Sequence, residues 1–141
     1  MAQRSDERIK YIDASLERVF DAISDPTKLA RWWGPAGFSN TFHEYNFSTG
    51  GFWRLTMHGP DGKNYANENQ FIEIQQNKKV VIEHHFTPHF FLSIDLTHTN
   101  NKTRIDWRQL FDTPEEYQKL AHIIGPANQQ NLDKLEQVVL G

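Results

Sequence analysis

The chain has 141 residues, no cysteine, and 15 Lys and Arg against 18 Asp and Glu, for a formal net charge of −3. That length predicts one domain, able to bury about 68–70% of the surface of its unfolded chain without disulfide staples. The weakly acidic balance lacks the basic footprint of a nucleic-acid binder, and no apolar run approaches the roughly 20 residues of a membrane helix.

Residues 1–7, within the polar stretch MAQRSDERIK, read as a flexible tail without the apolar core of a signal peptide. With no cysteine present, a cytoplasmic location is expected. RIKYIDAS reads as a first strand, with Ile9, Tyr11 and Asp13 on one side. Ser15 is placed to cap a helix over LERVFDAIS, whose Leu16, Val19, Phe20 and Ile23 share a face. Asp25-Pro26 signals a second start, cap then proline, for the short helix PTKLARWW, which ends at Gly34-Pro35.

From about 38 to 111 the pattern is strands and tight turns. FWRLTMH alternates, with Trp53, Leu55 and Met57 on one face. NYANENQFIEI is long and polar, and its apolar positions change phase near Phe71-Ile72, as a bulge would make them do. VVIEHHF places Val80, Ile82, His84 and Phe86 in phase; HFFLSIDLTH does the same for Phe90, Leu92, Ile94 and Leu96. TRIDWRQLF follows with Ile105, Trp107 and Phe111. Thr113-Pro114-Glu115-Glu116 is a capping box that opens a long last helix. That helix is expected to kink or break at Gly125-Pro126, and its inward stripe mixes Asn128 and Asn131 with Leu132 and Leu135.

The order is therefore a strand, two short helices, six strands in meander and one long helix. Tight turns join antiparallel strands, and only the last helix is large enough to cover the sheet. The fold class is α+β, a curved antiparallel sheet of six to seven strands wrapped around a long C-terminal helix. Ten Phe, four Trp and four Tyr in an otherwise polar chain suit a cavity walled by flat apolar faces.

Three segments carry a resemblance: DPTKLARWWGPAGF (25–38), STGGFWRLTMHGPDG (48–62) and TRIDWRQLF (103–111). With them the chain resembles the START-like, or SRPBCC, superfamily, and within it bacterial homologues of the heat-shock-protein ATPase activator. The resemblance implies a helix-grip fold over 1–141 and a deep cavity between sheet and C-terminal helix. Members of the superfamily bind lipids, hormones or polyketides, and some are cyclases. Ser48 stands where the family usually has an arginine, and IIGPANQQN lacks the Gly-Trp of many relatives. No specific ligand is therefore carried over.

The candidate cavity residues follow from strand and helix phase. Neighbours on a helix point about 100° apart, so one of Trp32 and Trp33 can face the cavity mouth while the other packs on the sheet; the alternative is that both close one end of the sheet as core. Phe42, Trp53, Leu55, Met57, Phe86, Leu92, Ile94 and Trp107 line the inner face, with plain core packing as the alternative for each. Leu135, Asn128 and Asn131 face them from the helix; the two amides meet either a ligand or solvent. His84 is a polar group on the same inner face. In YANENQF, Tyr65, Asn67 and Asn69 form one row and Glu68 and Gln70 the other; one row supplies polar cavity contacts, or the strand is a hydrated edge. Glu68 is the acidic candidate; Glu44 and Asp106 are also placed by position, the latter facing outward.

His84 and His85 point to opposite faces of a strand, and no histidine pair has metal-ligand spacing, so no metal and no cofactor are expected. No nucleophile elbow is present. The leading expectation is a module that binds a small apolar or amphipathic molecule without chemistry. One alternative is a cyclase- or hydrolase-like enzyme using His84 or Glu68 on an aromatic or polyketide-like substrate. Another is a chaperone-associated protein docking through Phe90-Phe91. A monomer and a homodimer joined at a sheet edge both fit.

Overall fold

The computed structural model describes residues 2–141. The elements are β1 (Ser5–Ile12), α1 (Leu16–Ser24), α2 (Pro26–Trp32), β2 (Ser39–Tyr45), β3 (Phe52–His58), β4 (Asn64–Gln75), β5 (Lys79–His84), β6 (Phe90–Thr99), β7 (Lys102–Phe111) and α3 (Pro114–Leu140). The seven strands form one antiparallel sheet in the order β1-β7-β6-β5-β4-β3-β2. This is the α+β helix-grip architecture that the element order implies. No helix among the described residues is long and apolar enough to cross a membrane.

The helix starts follow local chemistry. The Ser15 side chain accepts from the Arg18 N–H at 3.2 Å, Asp25 from Thr27 at 2.8 Å and Thr113 from Glu116 at 3.2 Å. Each satisfies a donor that the first helical turn leaves without a partner. Pro26 begins α2 but has no N–H to offer the Ala22 carbonyl four residues earlier. The Trp32 indole takes that role, donating to Ala22 O at 2.8 Å.

The interior divides into two halves. Around β2, β3 and β4 it is filled by aromatic rings: Trp53 meets Trp33 edge to face at 4.8 Å and Phe42 at 5.3 Å, and stacks on Phe71 at 6.0 Å. Tyr45 and Phe47 close this block towards α1, the Tyr45 hydroxyl donating to Ser24 O at 2.6 Å. Burial and the Asp25 charge raise the Tyr45 pKa, so it stays a neutral donor. On the other side α3 packs against β1, β7 and the two short helices.

Two local expectations are corrected: the extent of the N-terminal tail and the break in α3. The tail is shorter than 1–7: Ser5, Asp6 and Glu7 pair with Leu110, Gln109 and Arg108 in the sheet, while Met1 lies outside the described residues. Ile9 and Tyr11 do share a side of β1, but it is the outer one, where they are exposed. The inner side carries Asp6, Arg8 and Lys10 because β1 lies under the polar middle of α3. Lys10 bridges Asp133 and Glu136 at 3.0 Å each, and Arg8 reaches Gln129 at 3.4 Å. Finally, α3 runs unbroken through Gly125-Pro126. Gly125 leaves room for the Arg8 guanidinium, whose Nη2 would stand 2.7 Å from a Cβ there. The bulge expected in β4 is present, as a register shift between Phe71 and Glu73.

Candidate functional site

Between α3 and the middle strands lies a cavity of about 270 Å³, room for about nine water molecules. Its existence has a local cause. On β3 and β4's far half, aromatic side chains reach across to α1 and α2. Nearer α3, the inward residues of β4 and β5 are Asn67, Asn69 and His84, and space is left open between them and the helix. The sheet wall is completed by Met57, Phe90, Leu92, Trp107 and Gln109, the helix wall by Ile124, Ala127, Asn128 and Asn131. Trp33-Gly34-Pro35 and Thr87-Pro88 border it at the loops.

The polar groups fall into two sets. On α3, the Asn128 amide nitrogen and both ends of the Asn131 amide are engaged by the protein. Asn128 Nδ2 donates to Asp6 Oδ2 and Gln109 Oε1, both at 2.9 Å. Asn131 Oδ1 accepts from the Gly34 N–H at 2.8 Å, and its Nδ2 donates to Ala127 O at 3.1 Å. The Arg8 guanidinium lies beside Asp6, 3.0 Å away. The sheet-side pair is different. His84 Nδ1–H donates to Asn69 Oδ1 at 3.0 Å, and the ring stacks on Phe90 with centroids 4.6 Å apart. His84 Nε2 and Asn69 Nδ2 make no hydrogen bond to described residues, yet neither is sealed from the cavity.

Burial, with the nearby His85 and His89, pushes the His84 pKa down to about 4. It is therefore a neutral imidazole at pH 7 whose Nε2 is an acceptor. His89 has the opposite setting. It sits between Glu83 at 2.7 Å and Asp112 at 2.8 Å, which raise its pKa and tie the loop carrying Thr87-Pro88 to β5 and the end of β7.

Of the residues expected at the cavity, Trp33, Met57, His84, Leu92, Trp107, Asn128 and Asn131 line it. The others do not. Trp32 is fully buried between α1 and the sheet, edge to face with Trp107 at 6.1 Å. Phe42 and Trp53 belong to the solid aromatic block, and Leu55, Ile94 and Leu135 are packed core. Their phase was right, but side chains from the opposite wall meet them. Phe86 lies beyond the end of β5, where strand phase no longer applies, and is 43% exposed. Glu68 faces outward and binds Arg54 at 2.9 Å, with Glu44 on the same guanidinium. The facing row Asn67 and Asn69 is the one at the cavity, and β4 is an interior strand, not an edge. Phe90-Phe91 is not a surface pair: Phe90 lines the cavity.

Several lining residues were missed although a signal existed. Gln109 is in phase with Trp107 and Phe111, and Phe90 with Leu92. Ile124 and Ala127 lie one turn before Asn128 and Asn131 on the same helix face. Gly34-Pro35 and Thr87-Pro88 carry no periodic signal; only the tertiary path of the loops brings them in.

A family model described as activator of Hsp90 ATPase homolog 1-like protein matches residues 13–139. No curated protein matches the sequence. Solved structures share the fold. A solution structure of an Arthrobacter aurescens protein has 24% identity and a TM-score of 0.89, covering 96% of this chain and 86% of that one. A Nitrosomonas europaea crystal structure has 16% identity and a TM-score of 0.88, covering 97% and 94%. An AHSA1-like protein from Aeromonas hydrophila has 18% identity and a TM-score of 0.77, covering 96% and 92%.

Proposed function

As the chain belongs to the family of activator of Hsp90 ATPase homolog 1-like proteins, we propose that within this family it acts by binding a small molecule in the cavity between sheet and α3, without chemistry. The observation that carries this reading is the gap of about 270 Å³ left between short polar residues of β4 and β5 and the helix, in an interior otherwise filled by interlocked aromatics. Protein interiors are normally packed as densely as organic crystals. The gap lies just under the size range of ligand pockets, about 300–1,000 Å³, and its aromatic faces and few convergent polar groups give it the character of a site for a small molecule.

An enzymatic role is less well supported. Of the two acid–base candidates, Glu68 is on the outer face with Arg54, and His84 has no carboxylate beside it to raise its basicity. The test is a fluorescence titration with 1-aminoanthracene, an uncharged aromatic probe, on the wild-type chain and on Ala127→Trp, whose indole would fill the cavity. Saturable one-to-one binding that weakens at least tenfold in the folded variant is expected. Absence of saturable binding to the wild-type chain, or equal binding to both, would overturn the reading.

A further inference from the structure

The walls of the cavity restrict what it can hold. None of the described residues lining it is Asp, Glu, Lys or Arg. The charged groups behind the walls are already engaged. Asp6, behind Asn128, is matched by Arg8 at 3.0 Å. The Lys134 ammonium is not a lining group; it donates to Gly34 O at 3.3 Å and Pro35 O at 3.4 Å. A charged ligand group would leave water and meet no counter-charge among the lining side chains, and an unpaired buried charge is strongly disfavoured.

The polar capacity that remains is neutral and two-sided. On α3, the Asn128 amide nitrogen and both ends of the Asn131 amide are held by protein partners, and Asn128 Oδ1 makes no hydrogen bond to described residues. On the sheet, His84 Nε2 offers an open acceptor and Asn69 Nδ2 an open donor, on residues directly opposite each other across β4 and β5. His84 is 6% exposed and Asn69 1%, so both act in a water-poor setting where a hydrogen bond discriminates strongly. The Asn69–His84 bond fixes the imidazole tautomer, and the stacked Phe90 ring fixes its plane. This is a preorganised acceptor–donor pair beside the flat apolar surfaces of Trp33, Leu92 and Trp107.

We propose that the cavity selects an uncharged molecule with a planar apolar body and one polar end that both donates and accepts hydrogen bonds, such as a primary amide or a phenol. In this arrangement the ligand's N–H or O–H donates to His84 Nε2 and its oxygen accepts from Asn69 Nδ2. Carboxylates and ammonium groups of the same shape are rejected. This inference rests on the small-molecule reading above and adds the chemical class.

The experiment is displacement of bound 1-aminoanthracene at pH 7.5 by four compounds sharing one ring system: naphthalene, 2-naphthamide, 2-naphthoate and 2-naphthylmethylammonium. The amide is expected to displace the probe at concentrations at least tenfold lower than naphthalene and than either ion. In His84→Leu the amide's advantage over naphthalene should disappear. If 2-naphthoate or the ammonium competes as well as the amide, the inference fails and the cavity reading survives. If the amide shows no advantage over naphthalene in the wild-type chain, the inference fails likewise; this comparison needs no variant, so a misfolded His84→Leu leaves the test intact. If the probe itself does not bind, the cavity reading falls and takes the inference with it.

Discussion

Asn131, in the middle of α3, accepts a 2.8 Å hydrogen bond from the backbone N–H of Gly34, 97 residues away along the chain. The bond is buried and joins the helix to the turn that borders the cavity beside Trp33. It also explains why an asparagine stands beside Leu132 and Leu135 in the buried stripe of α3. Asn131→Leu should leave the Gly34 N–H buried and unpaired, at a cost of about 1–3 kcal/mol. Urea unfolding followed by tryptophan fluorescence measures it; an unchanged midpoint would show that water replaces the amide.

Gly34 itself has φ +97°, and a Cβ there would stand 2.9 Å from Met57 Cε and 3.2 Å from Phe38 Cβ. Gly34→Ala combines a backbone conformation that side chains avoid with this crowding, so a loss of about 1–3 kcal/mol is expected. The same denaturation experiment reads it. Gly50→Ala is the control: its φ is similar at +86°, but nothing lies within 4 Å of the added carbon. The smaller loss should therefore be at Gly50.

The adjacent tryptophans should separate by experiment. Trp32→Phe removes the donor to Ala22 O, whose helical partner position is Pro26, and strands a buried carbonyl. Stability should fall by about 1–3 kcal/mol. Trp33 makes no such bond and lines the cavity, so Trp33→Phe should act chiefly on 1-aminoanthracene affinity. Equal stability losses with unchanged probe binding would contradict this division.

Two histidines set opposite pH dependences. His84 is held neutral, its pKa pushed down to about 4 from 6.5. The unfolded chain takes up that proton at higher pH, so stability falls as pH drops from about 6.5 towards 4. His89 is held protonated by Glu83 and Asp112. Its contribution is fully present below pH 6.5 and is lost as pH rises through its raised folded value. Unfolding free energy measured from pH 4 to 8 should lose up to about 3 kcal/mol of its acid-side slope in His84→Leu. The His89→Gln variant should flatten the other limb. An acid limb unchanged in His84→Leu would mean that carboxylates alone cause it.

Asp6, Asn128 and Gln109 form one buried network, with Arg8 closing it. Removing Asp6 leaves Arg8 without its carboxylate and Asn128 with one partner. Asp6→Ala and Asn128→Leu should therefore be non-additive, with a coupling of about 0.5–3 kcal/mol in a double-mutant cycle. Simple additivity would show that the contact does not hold β1 to α3.

Local chemistry was sufficient for the elements and their order. Capping residues Ser15, Asp25 and Thr113 mark the helix starts, and strict alternation in FWRLTMH and HFFLSIDLTH assigns inner and outer faces. These signals are local because a cap or a strand's parity depends only on neighbours within a few residues. With tight turns between strands, they also imply the antiparallel meander under one long helix. Tertiary structure alone decided which inward side chains meet a partner and which face a gap. Trp53 and Leu92 have the same strand signature, but Trp53 is locked among Trp33, Phe42 and Phe71, while Leu92 borders the cavity. The same holds for β1, whose charged side turns inward because the polar middle of α3 covers it. Phase says which face a residue takes; the distance to the opposite wall, built from other elements of the chain, decides whether that face is core or cavity.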